Sequence, residues 1–248
     1  MTDIQKLLLV YTDISFAASP SLFSQAQAQG VCNGLLVREN ASQYLARRGT
    51  VQGRVVRIDC ISPNLAYAQF RYNIPTGQRD EVVGMIRVES GWKVVSLLWG
   101  DNQDAFSNLY AGHPGQQAED VRSLYEMLLH YCDAVYNLDA VDALSLFWPD
   151  TFMEHPTNGK EFAYVPITVL HQRWEGLDHP TKLGIPQFSR IYHAEMINGC
   201  TAIAKLGVSK LSDQYNDYLS CVKQDGRWVI VNKMTELLGQ KNPPSVKG

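Results

Sequence analysis

The segment Asp217-Tyr218-Leu219-Ser220-Cys221-Val222-Lys223-Gln224-Asp225-Gly226-Arg227-Trp228-Val229-Ile230-Val231-Asn232-Lys233 decides how this chain is read. Apolar residues alternate on both sides of Asp225-Gly226. A dipeptide of that kind between alternating runs signals a hairpin, because a type I′ turn needs positive φ at both central residues. The turn sets Val222 opposite Val229, Ser220 opposite Val231 and Tyr218 opposite Lys233. One face then carries Tyr218, Ser220, Val222, Val229, Val231 and Lys233. The other carries Asp217, Leu219, Cys221, Lys223, Trp228, Ile230, Asn232 and Met234. Just upstream, Ser189 to Ile197 and Cys200 to Lys210 flank Asn198-Gly199, a second hairpin signal. Its expected faces group Tyr192, Ala194 and Met196 with Thr201, Ile203 and Lys205, and place His193 and Glu195 with Ala202, Ala204 and Leu206. Two successive hairpins predict a four-stranded antiparallel meander.

The same pattern occurs earlier in the chain. Ala66 to Phe70, Met85 to Arg87 and Trp92 to Val95 align with Ala202 to Leu206, Cys221 to Lys223 and Trp228 to Val231 at one ungapped offset of 136 residues. Upstream, Leu8 to Asp13 meets Leu128 to Asp133 at an offset of 120, so 16 additional residues are expected in the second copy, between Asp139 and Lys182. Helical spacing of Leu124, Met127, Leu128, Tyr131 and Val135 predicts a helix after Glu119-Asp120. A short helix over Asp139 to Phe147, an extended segment over Thr151 to Phe162 turning at Asn158-Gly159, and a helix over Ile167 to Glu175 follow. Asp101 to Ala118 reads as the linker, giving domains over 1–112 and 113–248, and the tail from Gly239 is expected to be mobile.

Composition sets the outer limits. The 248 residues are 45% hydrophobic and 19% charged, ordinary for a globular chain and unlike a disordered one. The formal net charge of -3 gives no footprint for nucleic acid. Leu7 to Val10 is too short and too near Asp3 and Asp13 for a signal peptide or a membrane span, so a cytoplasmic protein with no membrane partner is expected. Five scattered cysteines, without a CxxC pair, predict reduced thiols.

With its final hairpin quoted above and the order helix, helix, extended segment, helix, meander, the second half resembles the nuclear transport factor 2 (NTF2-like, SnoaL-like) superfamily, and within it the branch labelled lumazine-binding. The resemblance implies an α+β fold of two tandem cystatin-like cones, each a curved antiparallel sheet packed on N-terminal helices with a pocket at its open end. For the first half it rests mainly on the internal repeat, and that copy reads as a degenerate one. Superfamily members include isomerases, dehydratases and cyclases as well as pocketed proteins without chemistry, so the fold alone does not name a reaction.

Candidate site residues follow from these faces. Tyr218 opposite Lys233 would put an ammonium beside a phenol, an acid or oxyanion donor in the making, or a cross-strand stabilising contact. Asp217 and His155, the latter in Phe152-Met153-Glu154-His155-Pro156-Thr157, complete the candidates for catalysis. Trp148, Phe152, His155, Tyr164, Trp174, Tyr192, Tyr218 and Lys233 are the expected ligand contacts. The first copy has Val82, Gly84 and Leu97 where the second has Tyr218, Ser220 and Lys233, which predicts a structural role for it. His171, Glu175 and His179 have i, i+4, i+8 spacing, but Gly176 and Pro180 end the helix before His179, so no metal site and no cofactor are expected. Small-molecule binding in the second domain is the leading expectation. Acid/base catalysis on a small organic substrate comes next, then a non-catalytic scaffold in which the halves form a covalent pseudo-dimer. The sequence leaves further homodimerisation open.

Overall fold

The computed structural model describes residues 27–32, 35–49, 51, 53–60, 62–75, 77–102, 114–157 and 161–240. The expected alignment of Leu8 to Asp13 and the tail beyond Gln240 lie outside these residues. The first half contains β1 (Gln27–Cys32), β2 (Leu35–Asn40), α1 (Ala41–Arg48), β3 (Gly53–Cys60), β4 (Leu65–Ile74), β5 (Gly77–Val88) and β6 (Gly91–Asn102). The second contains α2 (Pro114–Asn137), α3 (Ala140–Ser145), β7 (Phe152–Thr157), β8 (Glu161–Pro166), α4 (Val169–Trp174), a 3-10 turn (Pro180–Leu183), β9 (Arg190–Asn198), β10 (Thr201–Lys210), β11 (Asp213–Gln224) and β12 (Arg227–Gln240). Each half forms a six-stranded sheet, in the orders β2-β1-β6-β5-β4-β3 and β8-β7-β12-β11-β10-β9. Neighbouring strands are antiparallel except for β1 beside β6 and β7 beside β12, which are parallel. The α+β architecture of two similar halves is the one expected.

The repeat extends to the irregularities. A β-bulge leaves one residue unpaired and turns its neighbours over. Between Ser220 and Cys221 the register moves from Asn232 to Ile230, leaving Val231 as the extra residue. Between Gly84 and Met85 it moves from Ser96 to Val94, leaving Val95, 136 positions earlier. Val56 on β3 and Tyr192 on β9 are bulged at the same spacing. The offset is smaller at the start of each sheet: Ala28 pairs with Leu97 as Met153 pairs with Lys233, although Ala28 and Met153 are 125 positions apart. Gln29 faces Arg38 on β2 as Glu154 faces Tyr164 on β8, and Arg38 and Tyr164 are 126 apart. Ten of the second half's additional residues therefore stand between β8 and β9, where α4 and the 3-10 turn sit.

Two sequence expectations about turns and faces are corrected. Asp225 (φ 49) and Gly226 (φ 77) have the positive φ of the expected turn, but Asn198 and Gly199 do not. Asn198 instead accepts from the backbone N–H groups of Cys200 and Thr201 through its side chain, which moves the loop to Gly199-Cys200. A bulge at Ile197 follows, so Met196 and Ala194 face Ala202 and Ala204 rather than sharing a face with Ile203. The helix expected to start at Glu119 begins at Pro114, inside the segment read as linker.

One face of each sheet packs against its own helices. In the second half Leu124, Leu128, Tyr131 and Val135 of α2 meet Ala202, Ala204, Leu206, Leu219, Cys221, Trp228 and Ile230. In the first, Tyr44 and Leu45 of α1 meet Ala66, Ala68, Phe70, Val83, Met85, Leu97 and Trp99. The opposite faces of the two sheets pack on each other. Tyr67, Val82, Ile86, Val95 and Leu98 from one half join Ile203, Tyr218, Val222, Val231 and Met234 from the other, and these are the same five positions shifted by 136. Tyr67 and Tyr218 meet edge to face with centroids 5.3 Å apart. At the border, Arg57 lies 2.7 Å from Glu195 and 3.2 Å from His193.

Residues 113–248 produced alone would expose this apolar face, which is the kind of surface that drives association. Sedimentation should show self-association of the fragment, and a monomer melting like the full chain would remove the inter-sheet contact from the stability of the fold. Tyr218→Ala in the full chain should cost about 3 kcal/mol in a urea titration.

Candidate functional site

The helix-facing side of the second sheet leaves a cavity of about 460 Å³ between α2, α4, β7, β10 and β12. Val135, Met153, Leu170, Trp174 and Val208 give it apolar walls; His155, Arg173, Lys210, Asp217, Lys233 and Thr235 supply the polar groups. Asn64 of the first half also lines it, and donates to Glu236 at 3.1 Å.

The bulge at Val231 creates the floor. Because it turns β12 over, Tyr218 faces Met234 rather than Lys233, and Lys233 pairs with Leu219 on the helix side. The expected Tyr218 and Lys233 contact is therefore absent: Tyr218 is buried between the sheets, on the opposite face from the cavity. Lys233 instead reaches Asp217, with Nζ 2.9 Å from Oδ2. The buried Tyr131 of α2 donates its hydroxyl to the same oxygen at 2.6 Å and accepts from Lys233 at 2.6 Å. Thr235, facing Asp217 across the strand pair, donates to Oδ1. Lys233 also lies 5.3 Å from the centre of the Tyr131 ring. Burial, and then the Asp217 charge, push the Tyr131 phenol well above its ordinary pKa, so it stays protonated. His155, half-buried on the cavity wall, is pulled below the ordinary imidazole value, first by burial and also by Arg173 and Lys233.

Of the expected site residues, His155, Trp174, Asp217 and Lys233 line the cavity. The others point elsewhere. Phe152 stacks on Tyr164 at 4.3 Å, Trp148 packs against the inter-sheet cluster, and Tyr192 lies exposed beside Gly207, within cation-π range of Arg190 and Lys205. Sequence reading missed Tyr131 in this role, since its helical spacing marks it as core. It also missed Arg173, Lys210, Thr235 and Asn64. His171, Glu175 and His179 do not share a helix: α4 ends at Trp174, and His179 caps the next turn through Thr181. Among the described residues, no three His, Cys, Asp or Glu side chains form a metal-sized cluster.

Two further buried acids are informative. Glu81 of the first half occupies the position of Asp217, facing Trp99 as Asp217 faces Thr235. It accepts from the Tyr44 and Tyr72 hydroxyls and lies 2.8 Å from Arg48, while Trp99 stacks on Tyr44. Glu154 sits behind the cavity on β7 with Asn232 Nδ2 2.8 Å from both oxygens, and burial pushes its carboxyl well above the ordinary range.

Residues 119–235 match the family described as "Putative lumazine-binding". No curated protein matches the chain. Among solved structures, an NTF2-like protein of unknown function from Shewanella baltica is 16% identical over 50% of this chain and 97% of its own, with a TM-score of 0.44. One from Methylobacillus flagellatus is 24% identical over 49% and 94%, with a TM-score of 0.42. An NTF2-like protein with a cystatin-like fold from Novosphingobium aromaticivorans is 16% identical over 56% and 93%, with a TM-score of 0.39. No described helix is long and apolar enough to cross a membrane.

Lys233→Met leaves Asp217 buried without its cation and should cost about 3–5 kcal/mol by chemical denaturation. Glu154→Gln should do the reverse. A carboxyl whose folded pKa is raised costs nothing below the unfolded pKa and progressively more as pH climbs towards the folded value. Gln29 already fills the equivalent place on β1. The variant should therefore match wild type in thermal melts at pH 4 and exceed it at pH 7; equal melting at both would show that Glu154 ionises freely.

Proposed function

We propose that this chain binds a small molecule in the cavity of its second domain, residues 113–248, with residues 1–112 as a fixed, non-catalytic partner. The observation that carries this reading is the apolar wall of Val135, Met153, Leu170, Trp174 and Val208 above a floor whose polar groups satisfy one another. A mostly apolar cavity with a few convergent polar groups is the usual composition of a ligand site. Asp217, Tyr131, Lys233 and Thr235 form a closed network, so the floor shapes the cavity without demanding a proton from its occupant.

A second reading, acid/base catalysis, is favoured by His155 on the same wall. Its lowered pKa makes the neutral, proton-accepting imidazole the main form near pH 7. Asp217 is less suited to that task, because three donors already occupy its oxygens. The packed sheet faces support the scaffold role of the first half as one member of a covalent pseudo-dimer.

Thermal melts in the presence of a panel of small aromatic compounds, lumazine among them, test the proposal. A compound that binds only the folded state raises Tm by mass action, by about 2.7 kcal/mol of stability at a hundred times its Kd. The shift should appear for wild type and vanish for Val208→Phe, which projects into the cavity. Absence of any shift, or shifts equal in both proteins, would overturn cavity binding. Turnover of a bound compound that His155→Gln abolishes, with binding retained, would move the function to the second reading.

A further inference from the structure

The cavity's polar groups are not evenly satisfied. Lys233 and Asp217 neutralise each other on the floor, and Glu236 at the rim accepts from Asn64 through Oε1 while its Oε2 is buried without a hydrogen-bond partner. Arg173, exposed at the end of α4, and Lys210, half-buried at the end of β10, also line the cavity. Among the described residues neither forms an ion pair. Asp213 is the cross-strand neighbour of Lys210, yet its carboxylate accepts from the Tyr215 hydroxyl at 3.2 Å. The Lys210 ammonium rests instead over the Tyr215 ring, 5.6 Å from its centre. Arg173 thus stands beside an apolar chamber with no ion pair among the described residues, Lys210 feels the Asp213 charge across the strand pair without an ion-pair contact, and His155 on the same wall adds a hydrogen-bonding nitrogen.

We infer that the occupant of this cavity is a small amphipathic carboxylate, whose aromatic or branched apolar body packs against Trp174, Leu170 and Val208 while its carboxylate is held by Arg173 and Lys210. The inference rests on the ligand-binding reading above and adds the charge and polarity of the ligand to it. An arginine presents paired N–H donors that match a carboxylate, and a lysine adds a point charge that a neutral amide cannot use. Low-polarity walls strengthen that attraction relative to open water. Burial comes first in lowering the pKa of both His155 and Lys210; Arg173 and Lys233 lower each further, while Asp213 acts the other way on Lys210.

The test uses 1-naphthoate and its neutral isostere 1-naphthamide, measured by isothermal titration calorimetry on the full chain. Naphthoate should bind wild type at least tenfold more tightly than naphthamide, and the preference should shrink as salt is raised. In Arg173→Gln/Lys210→Gln, whose side chains lie at the mouth and whose folding is checked by its melt, the preference should fall to within threefold, and Lys restored at position 210 should recover part of it. Equal binding of the two compounds to wild type would overturn the carboxylate assignment and leave cavity binding intact. A preference that persists in the double variant would place the anion elsewhere and overturn it as well. If neither compound binds, the carboxylate assignment fails; cavity binding itself then stands or falls on the broader panel and on Val208→Phe.

Discussion

The buried polar floor of the second half's cavity depends on one unpaired residue. Val231 has no partner on β11, and that insertion reverses the facing of Asn232 to Leu237 on β12, up to a second unpaired residue at Leu238. Without it Lys233 would enter the apolar contact between the sheets, and Asp217 would be buried against the helices with no cation. With it, the longest strand contributes apolar side chains to both layers at its start and a lysine and a threonine to the cavity floor farther on. The bulge is thus both a structural hinge in the register and the device that assembles a buried network from three separate elements, α2, β11 and β12.

The same insertion at Val95 does different work. The first half repeats the bulge and the buried acid but not the cation: Leu97 stands where Lys233 would be, and Trp99 where Thr235 would be. Glu81 therefore finds its partners in Tyr44, Tyr72 and Arg48, side chains delivered by α1 and β4. Tyr44 reaches the acid with its hydroxyl and stacks its ring on Trp99. A common backbone thus buries an acid in each copy with different partners: tyrosines and an arginine in the first, a tyrosine, a lysine and a threonine in the second.

Much of this was legible in the residues. Alternation around Asp225-Gly226 and the 136-residue offset were enough to place β4 to β6 and β10 to β12, because strand periodicity and turn chemistry are local properties. The facing of Lys233 was not legible, since nothing in Cys221-Val222 or Val231-Asn232 distinguishes a bulged pair from a regular one until the second sheet is present to bury Val231 and Met234. Asn198-Gly199 misled for a related reason: the asparagine uses its side chain to close the loop, and the usual meaning of that dipeptide concerns its backbone. Tyr131 read as one more apolar position on α2, and only the depth of Asp217 shows why it carries a hydroxyl. Arg173 and Asn64 could not be associated with the site at all, because they arrive from a short helix and from the other sheet.

Joining both sheets in one chain has a consequence for how such a site can change. Where two identical subunits meet about an axis, every substitution at the contact is made twice, and a residue that improves one mouth must also be tolerated at the other. Here Asn64 borders the cavity of the second half, while the position 136 residues on is Cys200, beside a first half whose equivalent acid is covered by Trp99 and Tyr44. The two sides of the contact are free to be edited independently, so one copy can retain the packing that holds the pair together while the lining of the other copy's cavity changes.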